Sequence, residues 1–139
     1  MRVWRALRAA GAAVLRDGVY LLPAGAETRQ VFDDQARAVR ATGGAAYVWV
    51  LDQIAGEQER EFRKLFEREP EYARLLETMH SLRVQVQRRR ARNVVRRLQS
   101  LKREVEVLRT IDYFPGSATE QVTEALGELE TLVMASAAP

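Results

Sequence analysis

The stretch that most constrains the fold lies between Pro70 and Pro115, where neither glycine nor proline occurs. Apolar residues recur there at intervals of three and four, which is the spacing of one face of an α-helix. A single helix over this stretch would be roughly 65 Å long at 1.5 Å per residue, too long for a compact chain of this size. We therefore expect two helices separated by a break near Gln87–Asn93, although no strong helix breaker stands there.

The same spacing predicts that these two helices pack with a third. From Val94 onward the apolar interval alternates between four and three, which is typical of a coiled-coil seam. Ser117 is suited to cap a further helix after the turn Asp112–Gly116, so the last two helices should form an antiparallel hairpin. The side chains expected to face inward are Tyr72, Leu75, Leu76, Met79, Leu82, Val86, Val94, Leu98, Leu101, Val105, Leu108, Val122, Leu126, Leu129 and Val133.

The first part of the chain has mixed character. Asp17-Gly18 favours a two-residue hairpin turn, with a single bent strand as the alternative. The predicted elements are a helix over Met1–Ala10, β-like runs at Ala12–Arg16 and Val19–Leu22, a helix over Ala26–Thr42 and a buried strand at Ala45–Leu51. Trp4, Tyr20, Tyr47 and Trp49 each lie in an apolar run, which favours core positions over a platform for stacking bases.

The element order helix, strand, strand, helix, strand matches a ferredoxin-like domain that lacks its first strand. The sequence thus predicts an α+β protein. Residues 1–54 would form a truncated ferredoxin-like unit, and residues 55–139 a helical region packed on it, with a further helix expected over Glu57–Glu69. A three-stranded sheet of this kind leaves an exposed edge, which could pair with a second copy of the chain as a homodimer.

Composition limits the chemistry. There is no cysteine, and His80 is the one histidine, which excludes disulfides and thiolate metal sites and leaves little for a serine–histidine relay. We expect no catalytic residue, no metal site and no cofactor. No apolar run approaches the roughly 20 residues that cross a bilayer. The arginines near the N-terminus are interleaved with apolar residues, unlike an export signal, so we expect a cytoplasmic protein without a membrane segment.

Charge is concentrated in one block. Arg83–Arg103 holds nine basic residues and no acid, whereas Glu104–Pro139 holds seven acids and one arginine. The block is either a solvated helix face compensated by the acidic tail or a surface for a polyanion. The candidate phosphate-binding residues are Arg88, Arg89, Arg90, Arg96, Arg97, Lys102 and Arg103, with Arg2, Arg5, Arg8 and Arg16 as a second set. On a helix continuous from Arg88, the heptad places Arg89, Arg96 and Arg103 in an outward stripe.

Six segments occur together in one order along the chain: Val3–Leu7, Gly11–Pro23, Gly43–Ala45, Phe62–Phe66, Tyr72–Leu76 and Ile111–Gly116. Together they resemble the amino-terminal domain of the ChrB family of chromate-resistance regulators. That resemblance implies a non-enzymatic, repressor-like transcriptional regulator that binds the operator DNA of chromate-resistance genes. Whether chromate itself binds this chain stays open.

Two alternatives accompany that interpretation. The first is a protein-interaction or accessory module of chromate resistance that does not bind DNA. The second follows from a distant similarity to the central domain of the PaaX repressors and to the small CRISPR adaptation nucleases. In those nucleases the catalytic aspartate is expected at the end of a first strand, and the present sequence has no counterpart of that strand before Val3.

Overall fold

The computed structural model describes residues 2–137, which form six helices and one two-stranded sheet and confirm the α+β class. The chain divides into two compact units, Met1–Glu67 and Arg68–Pro139. This division falls later than the predicted boundary after residue 54, so the third helix belongs to the first unit. That helix, α3, covers Gly56–Lys64 and is shorter than predicted.

The first unit begins with a helix that packs against the next one. The remaining elements of this unit are α1 (Arg2–Ala9), β1 (Ala13–Arg16), β2 (Val19–Leu21) and α2 (Ala26–Ala41). Helix α1 contacts α2, and Leu7 and Ala36 are the buried side chains of these two helices. Their bounds agree closely with the predicted ones, except that Met1 lies outside the described residues.

The two strands confirm the predicted hairpin and exclude the single bent strand. Val14 pairs with Tyr20 and Arg16 pairs with Val19, so Asp17 and Gly18 form the turn. Gly18 has a φ of 77°, a conformation that glycine adopts without steric cost. The pairing shifts between Val14 and Arg16, which marks a bulge within β1. The hairpin is joined to α1 by the rings of Trp4 and Tyr20, whose centroids lie 5.9 Å apart.

The predicted strand at Ala45–Leu51, which we call the apolar segment, is wrong. The segment has no regular secondary structure, and the sheet of the described residues contains β1 and β2 alone. Tyr47 and Trp49 are 80% and 81% exposed, so their predicted core positions are wrong as well. A strand depends on neighbours across the sheet, and residues 2–137 place no strand beside this segment. The ferredoxin-like arrangement therefore remains a prediction.

The second unit is a three-helix bundle of α4 (Glu69–Gln87), α5 (Val94–Thr110) and α6 (Ser117–Ala137). Lys102 on α5 contacts Glu130 on α6, and Arg109 contacts Thr123, so these helices run antiparallel as predicted. The core confirms the three-four spacing, with the remaining predicted positions packed around it. Its buried members are Tyr72, Met79, Leu82, Val86, Leu98, Leu101, Val105, Leu108, Val122, Leu129 and Val133.

The predicted break between α4 and α5 is confirmed, and an arginine makes it. Arg89 has a φ of 55°; its N–H donates to Val86 O at 3.1 Å, and Arg90 N–H donates to Gln85 O at 2.9 Å. This pair of bonds is the Schellman motif, which usually places glycine at the left-handed position. Helix α2 ends with the same motif and has Gly43 at that position, with a φ of 87°.

We expect Leu101→Ala to lower the free energy of unfolding by about 2–5 kcal/mol, because it leaves a cavity in the bundle core. Val107→Ala on the same helix is the matched control, since Val107 is 65% exposed and its truncation should change stability by less than about 0.5 kcal/mol. Urea unfolding followed by circular dichroism measures both. Equal losses for the two variants would contradict the assigned core.

Candidate functional site

The basic block lies partly on a loop and partly on α5. Residues 88–93 connect α4 to α5, and the side chains of Arg88, Arg89, Arg90 and Arg92 in this loop are exposed. The heptad position of Arg89 required a helix continuous from Arg88, and it does not apply because α4 ends at Gln87 and α5 begins at Val94. Arg92 was not among the predicted phosphate-binding residues. We group it with Arg88, Arg89 and Arg90 because it lies in the same loop.

Two members of the block are neutralised by the last helix. Lys102 Nζ lies 2.5 Å from Glu130 Oε1, and Arg83 Nη1 lies 3.3 Å from Glu128 Oε2. These pairs realise part of the expected compensation by the acidic tail. All four side chains are two-fifths or more exposed, so each pair contributes about 0–1 kcal/mol. Among the residues that the structure describes, Lys102 is thereby the one predicted site residue held in an ion pair.

The other seven arginines have no carboxylate partner. Within residues 2–137, no acidic oxygen lies within 4.0 Å of their guanidinium nitrogens. Arg97 differs from the rest because it is half-buried and donates a hydrogen bond to the neutral Gln85 Oε1 at 2.7 Å. The seven are Arg88, Arg89, Arg90, Arg92, Arg96, Arg97 and Arg103. Internal compensation thus reaches two of the nine charges.

Five of these arginines gather around the start of α5. We call Arg88, Arg89, Arg90, Arg92 and Arg96 the basic tip; all five are exposed. Asn93 begins α5 with a φ of 53° and makes no side-chain cap. The first N–H groups of a helix have no partner within it, and with the helix dipole they favour an anion. Guanidinium groups and helix amides therefore offer donors at the same end of the bundle.

Arg103 extends this surface along α5. It lies seven residues after Arg96, which corresponds to about 10.5 Å along the axis and nearly the same face of the helix. Both side chains are exposed. The outward direction predicted for Arg89, Arg96 and Arg103 agrees with the structure, although Arg89 projects from the loop and not from a continuous helix.

The second candidate set lies in the first unit. Arg2, Arg5 and Arg8 are on α1, and Arg16 ends β1. All four side chains are exposed, and in the described part of the chain none forms an ion pair. Arginines three positions apart lie about 60° apart around a helix axis, so Arg2, Arg5 and Arg8 are neighbours on one side of α1, whereas Arg16 lies on the hairpin.

The opposite end of the bundle holds a polar cluster that the sequence did not single out. Tyr72 Oη and Thr119 Oγ1 each donate a hydrogen bond to Asp112 Oδ2 at 2.8 Å. Tyr72 is on α4, Asp112 follows α5 and Thr119 is in the first turn of α6, so one carboxylate ties the three helices together. Burial raises the pKa of Tyr72 above its ordinary value. Its hydrogen bond to Asp112 and the charge of that carboxylate raise it too, whereas Thr119 and Arg109 act in the opposite direction.

The described residues bring together no group of three or more histidine, aspartate or glutamate side chains able to hold a metal ion. Over the same residues, none of the helices combines the length and the apolar character that a bilayer crossing requires. The arrangement offers arginine donors concentrated at one end of a helical bundle. Its chemistry is that of anion binding.

Comparison with known proteins gives one consistent result. The family model described as the N-terminal domain of protein ChrB matches residues 1–134. Protein ChrB of Cupriavidus metallidurans is 35% identical over 121 residues, which cover 86% of this chain and 37% of the relative. The chain thus spans less than two-fifths of that relative's length. No solved structure matches the chain.

We expect Tyr72→Phe to lower the free energy of unfolding by about 1 kcal/mol at neutral pH, because a buried hydrogen bond to Asp112 is lost. The difference between wild type and variant should shrink as the pH rises above about 10. In the unfolded chain Tyr72 then loses its proton, whereas its raised pKa keeps the folded side chain protonated, so alkali favours unfolding of the wild type. Urea midpoints between about pH 7 and pH 11 measure this difference. A constant difference would contradict the raised pKa, and Tyr47→Phe, at an exposed phenol, is the control.

Proposed function

The chain belongs to the ChrB family of chromate-resistance proteins, through its N-terminal domain, and from this premise we propose that it is a repressor-like DNA-binding regulator of chromate-resistance genes. The observation that carries the proposal is the basic tip, five exposed arginines for which residues 2–137 provide no carboxylate partner. Arginine pairs bidentately with phosphate, and clustered positive charge supplies most of the affinity of proteins for nucleic acid. The proposal assigns binding to the chain and no catalysis.

A structural role alone accounts poorly for the tip. Arginines that follow α4 interact favourably with the negative end of its dipole, by about 0.3–1 kcal/mol each at the surface. That benefit falls off within a turn and is opposed by repulsion among neighbouring like charges. Neither effect explains why four arginines occur in the six residues of the loop. The acids of α6 do not compensate them, because Glu128 and Glu130 pair with Arg83 and Lys102 within the helices.

The backbone of Arg89 supports the same conclusion. A side chain in the left-handed region costs roughly 1 kcal/mol relative to glycine, and the equivalent position after α2 is glycine. Strained backbone conformations concentrate at functional sites. Arginine at this position lowers the stability of the fold relative to glycine, but it places a guanidinium group at the end of the bundle.

The tip and Arg103 match the dimensions of a DNA backbone. B-DNA carries a phosphate every 3.4 Å of axis on each strand, so the distance of about 10.5 Å between Arg96 and Arg103 spans about three phosphates. Such contacts position a protein without reading sequence. Asn93, Gln87 and Gln99 have the chemistry to read base edges, and of these Asn93 lies within the tip loop. The second candidate set, Arg2, Arg5, Arg8 and Arg16, would add further phosphate contacts.

Other parts of the function remain proposals as well. The chain spans 37% of the relative's length, so a response to chromate by the whole protein is carried over to this chain only as a hypothesis. Chromate is a tetrahedral dianion and would compete with phosphate for the same arginines. The alternative of a nuclease related to the CRISPR adaptation proteins stays an expectation from the sequence and is not part of the proposal. A cytoplasmic location is what a regulator of this kind requires.

We expect the chain to bind duplex DNA from upstream of its own gene with a logarithmic salt slope of about −4.5, as for five phosphate contacts. The triple variant Arg88→Gln, Arg89→Gln, Arg90→Gln should weaken binding and reduce the slope by about 2.7. Fluorescence anisotropy at several salt concentrations measures both quantities.

The matched control removes three exposed positive charges elsewhere, through Arg60→Gln, Lys64→Gln and Arg74→Gln. Its slope should stay close to that of the wild type. Equal effects of the two triple variants would show that the tip acts only through the net charge of the protein. Absence of binding at low salt would overturn the DNA-binding proposal.

We expect Arg89→Gly to stabilise the fold and weaken DNA binding at the same time. Glycine relieves the left-handed backbone and should raise the free energy of unfolding by up to about 1 kcal/mol, while the lost guanidinium reduces the salt slope by about 0.9. Arg90→Gly is the control, because Arg90 does not have a positive φ and glycine there should lower stability. Loss of stability in Arg89→Gly would contradict the assigned strain.

A further inference from the structure

The apolar segment of the first unit has the composition of a β-strand, but the part of the chain that the structure describes places no strand beside it. Tyr47, Trp49, Val50 and Leu51 are all more than half exposed, although β-branched and aromatic residues of this kind suit a pleated, covered surface. We propose that the apolar segment is a self-association surface, which pairs with the same segment of a second copy of the chain to form a two-stranded antiparallel ribbon.

The backbone of the segment is available for such pairing. Ala46 O accepts hydrogen bonds from Arg40 Nε and Nη2, at 3.2 and 2.7 Å. Among the described residues, no hydrogen bond involves the main-chain N–H and C=O groups of residues 47–51. A row of unpaired backbone groups is a template for the addition of another strand.

The start of the segment is fixed against α2. Gly43 closes the helix in the left-handed conformation, and Gly44 N–H donates to Val39 O at 3.1 Å. A Cβ at Gly44 would lie 2.8 Å from Val39 Cγ1, so the chain leaves the helix in close contact with it. Together with the Arg40 bonds, this contact limits the freedom of the segment before any partner binds, which lowers the entropic cost of association.

Self-pairing suits the sequence of the segment better than pairing with a charged partner. Residues 43–51 contain no charged side chain. In an antiparallel pair with its two-fold axis at Val48, Tyr47 lies opposite Trp49 of the second copy, which makes two aromatic cross-strand pairs. Asp52 would then lie opposite Gly44, so no like charges meet. Because the surface is neutral, it is also unsuited to the phosphate backbone that the basic tip would bind.

The exposed side chains of the segment supply an area close to the lower limit of a specific interface. Buried tyrosine and tryptophan side chains remove on the order of 150–250 Å² each, and Tyr47 and Trp49 are about four-fifths exposed. Complete burial of these two residues with Val50 and Leu51 on both copies would remove a total of about 1,000 Å² from solvent, as an upper limit. That value is the lower limit for a specific interface, and strand hydrogen bonds would add directionality.

The first test is the mass of the full chain in solution by light scattering and sedimentation. We expect a dimer at about 100 µM protein, and we expect Trp49→Lys to raise the dissociation constant at least about 30-fold, because an interface aromatic is replaced by a charge. Val107→Lys, at another exposed apolar residue, is the control and should leave the dimer intact. Circular dichroism should show unchanged helix content in both variants.

The second test concerns register and uses the absence of natural cysteine. Val48→Cys places two thiols directly opposite each other, about 4.5–5.5 Å apart at Cβ, so mild oxidation should link the copies covalently. Val107→Cys should not cross-link at the same rate. A monomeric wild type, a dimer insensitive to Trp49→Lys, or equal cross-linking of the two cysteine variants would overturn the proposal. The outcome is independent of DNA binding, which is measured separately through the basic tip.

Discussion

The apolar seam shared by α4, α5 and α6 is the interaction on which the second unit depends. Eleven buried apolar side chains form one cluster, and burial of each large aliphatic side chain contributes about 1.5–3 kcal/mol. This stabilisation offsets the repulsion among the arginines of the loop after α4. The loop arginines lie outside the cluster, so their repulsion does not disturb its packing. The Tyr72–Asp112–Thr119 hydrogen bonds hold the other end of the bundle. The positions of the tip arginines thus follow from packing that they do not themselves provide.

The helices were predictable from the sequence because a helix satisfies its own backbone. Spacing of three and four located the inward faces of α4, α5 and α6, and Leu82, Val105 and Leu129 are buried as expected. The turn after Gln87 was predicted from length alone, since its stop signal is an arginine in the left-handed conformation and not glycine. No residue type in the sequence marks Arg89 as that stop. The predicted arginines are exposed, but their placement on one continuous helix could not survive this break.

The strand at Ala45–Leu51 failed for the opposite reason. A strand pairs its backbone groups only with other chain segments, so composition shows that a residue run suits a sheet but not that a neighbour is present. Val48, Trp49 and Val50 have strand-like character, yet the described sheet ends with β2. The Tyr72 cluster was missed because it joins residues 40 and 47 positions apart, a relation that spacing within one helix does not contain. Local periodicity was a reliable guide; contacts between distant segments were not.

Within residues 2–137, the acidic side chains of α6 neutralise only basic residues that lie within α4 and α5, and they leave the arginines of the connecting loop unpaired. Glu128 and Glu130 lie on the part of α6 that faces α4 and α5, and they pair with Arg83 and Lys102, which lie within those helices. The loop arginines project beyond the last turn of α4, where α6 presents no acid to them. The unpaired positive charge of the basic block is consequently concentrated at one end of the bundle and along α5. A polyanion that approaches this end meets unpaired guanidinium groups whose desolvation breaks no internal ion pair, and this lowers the cost of binding relative to a site built from paired charges.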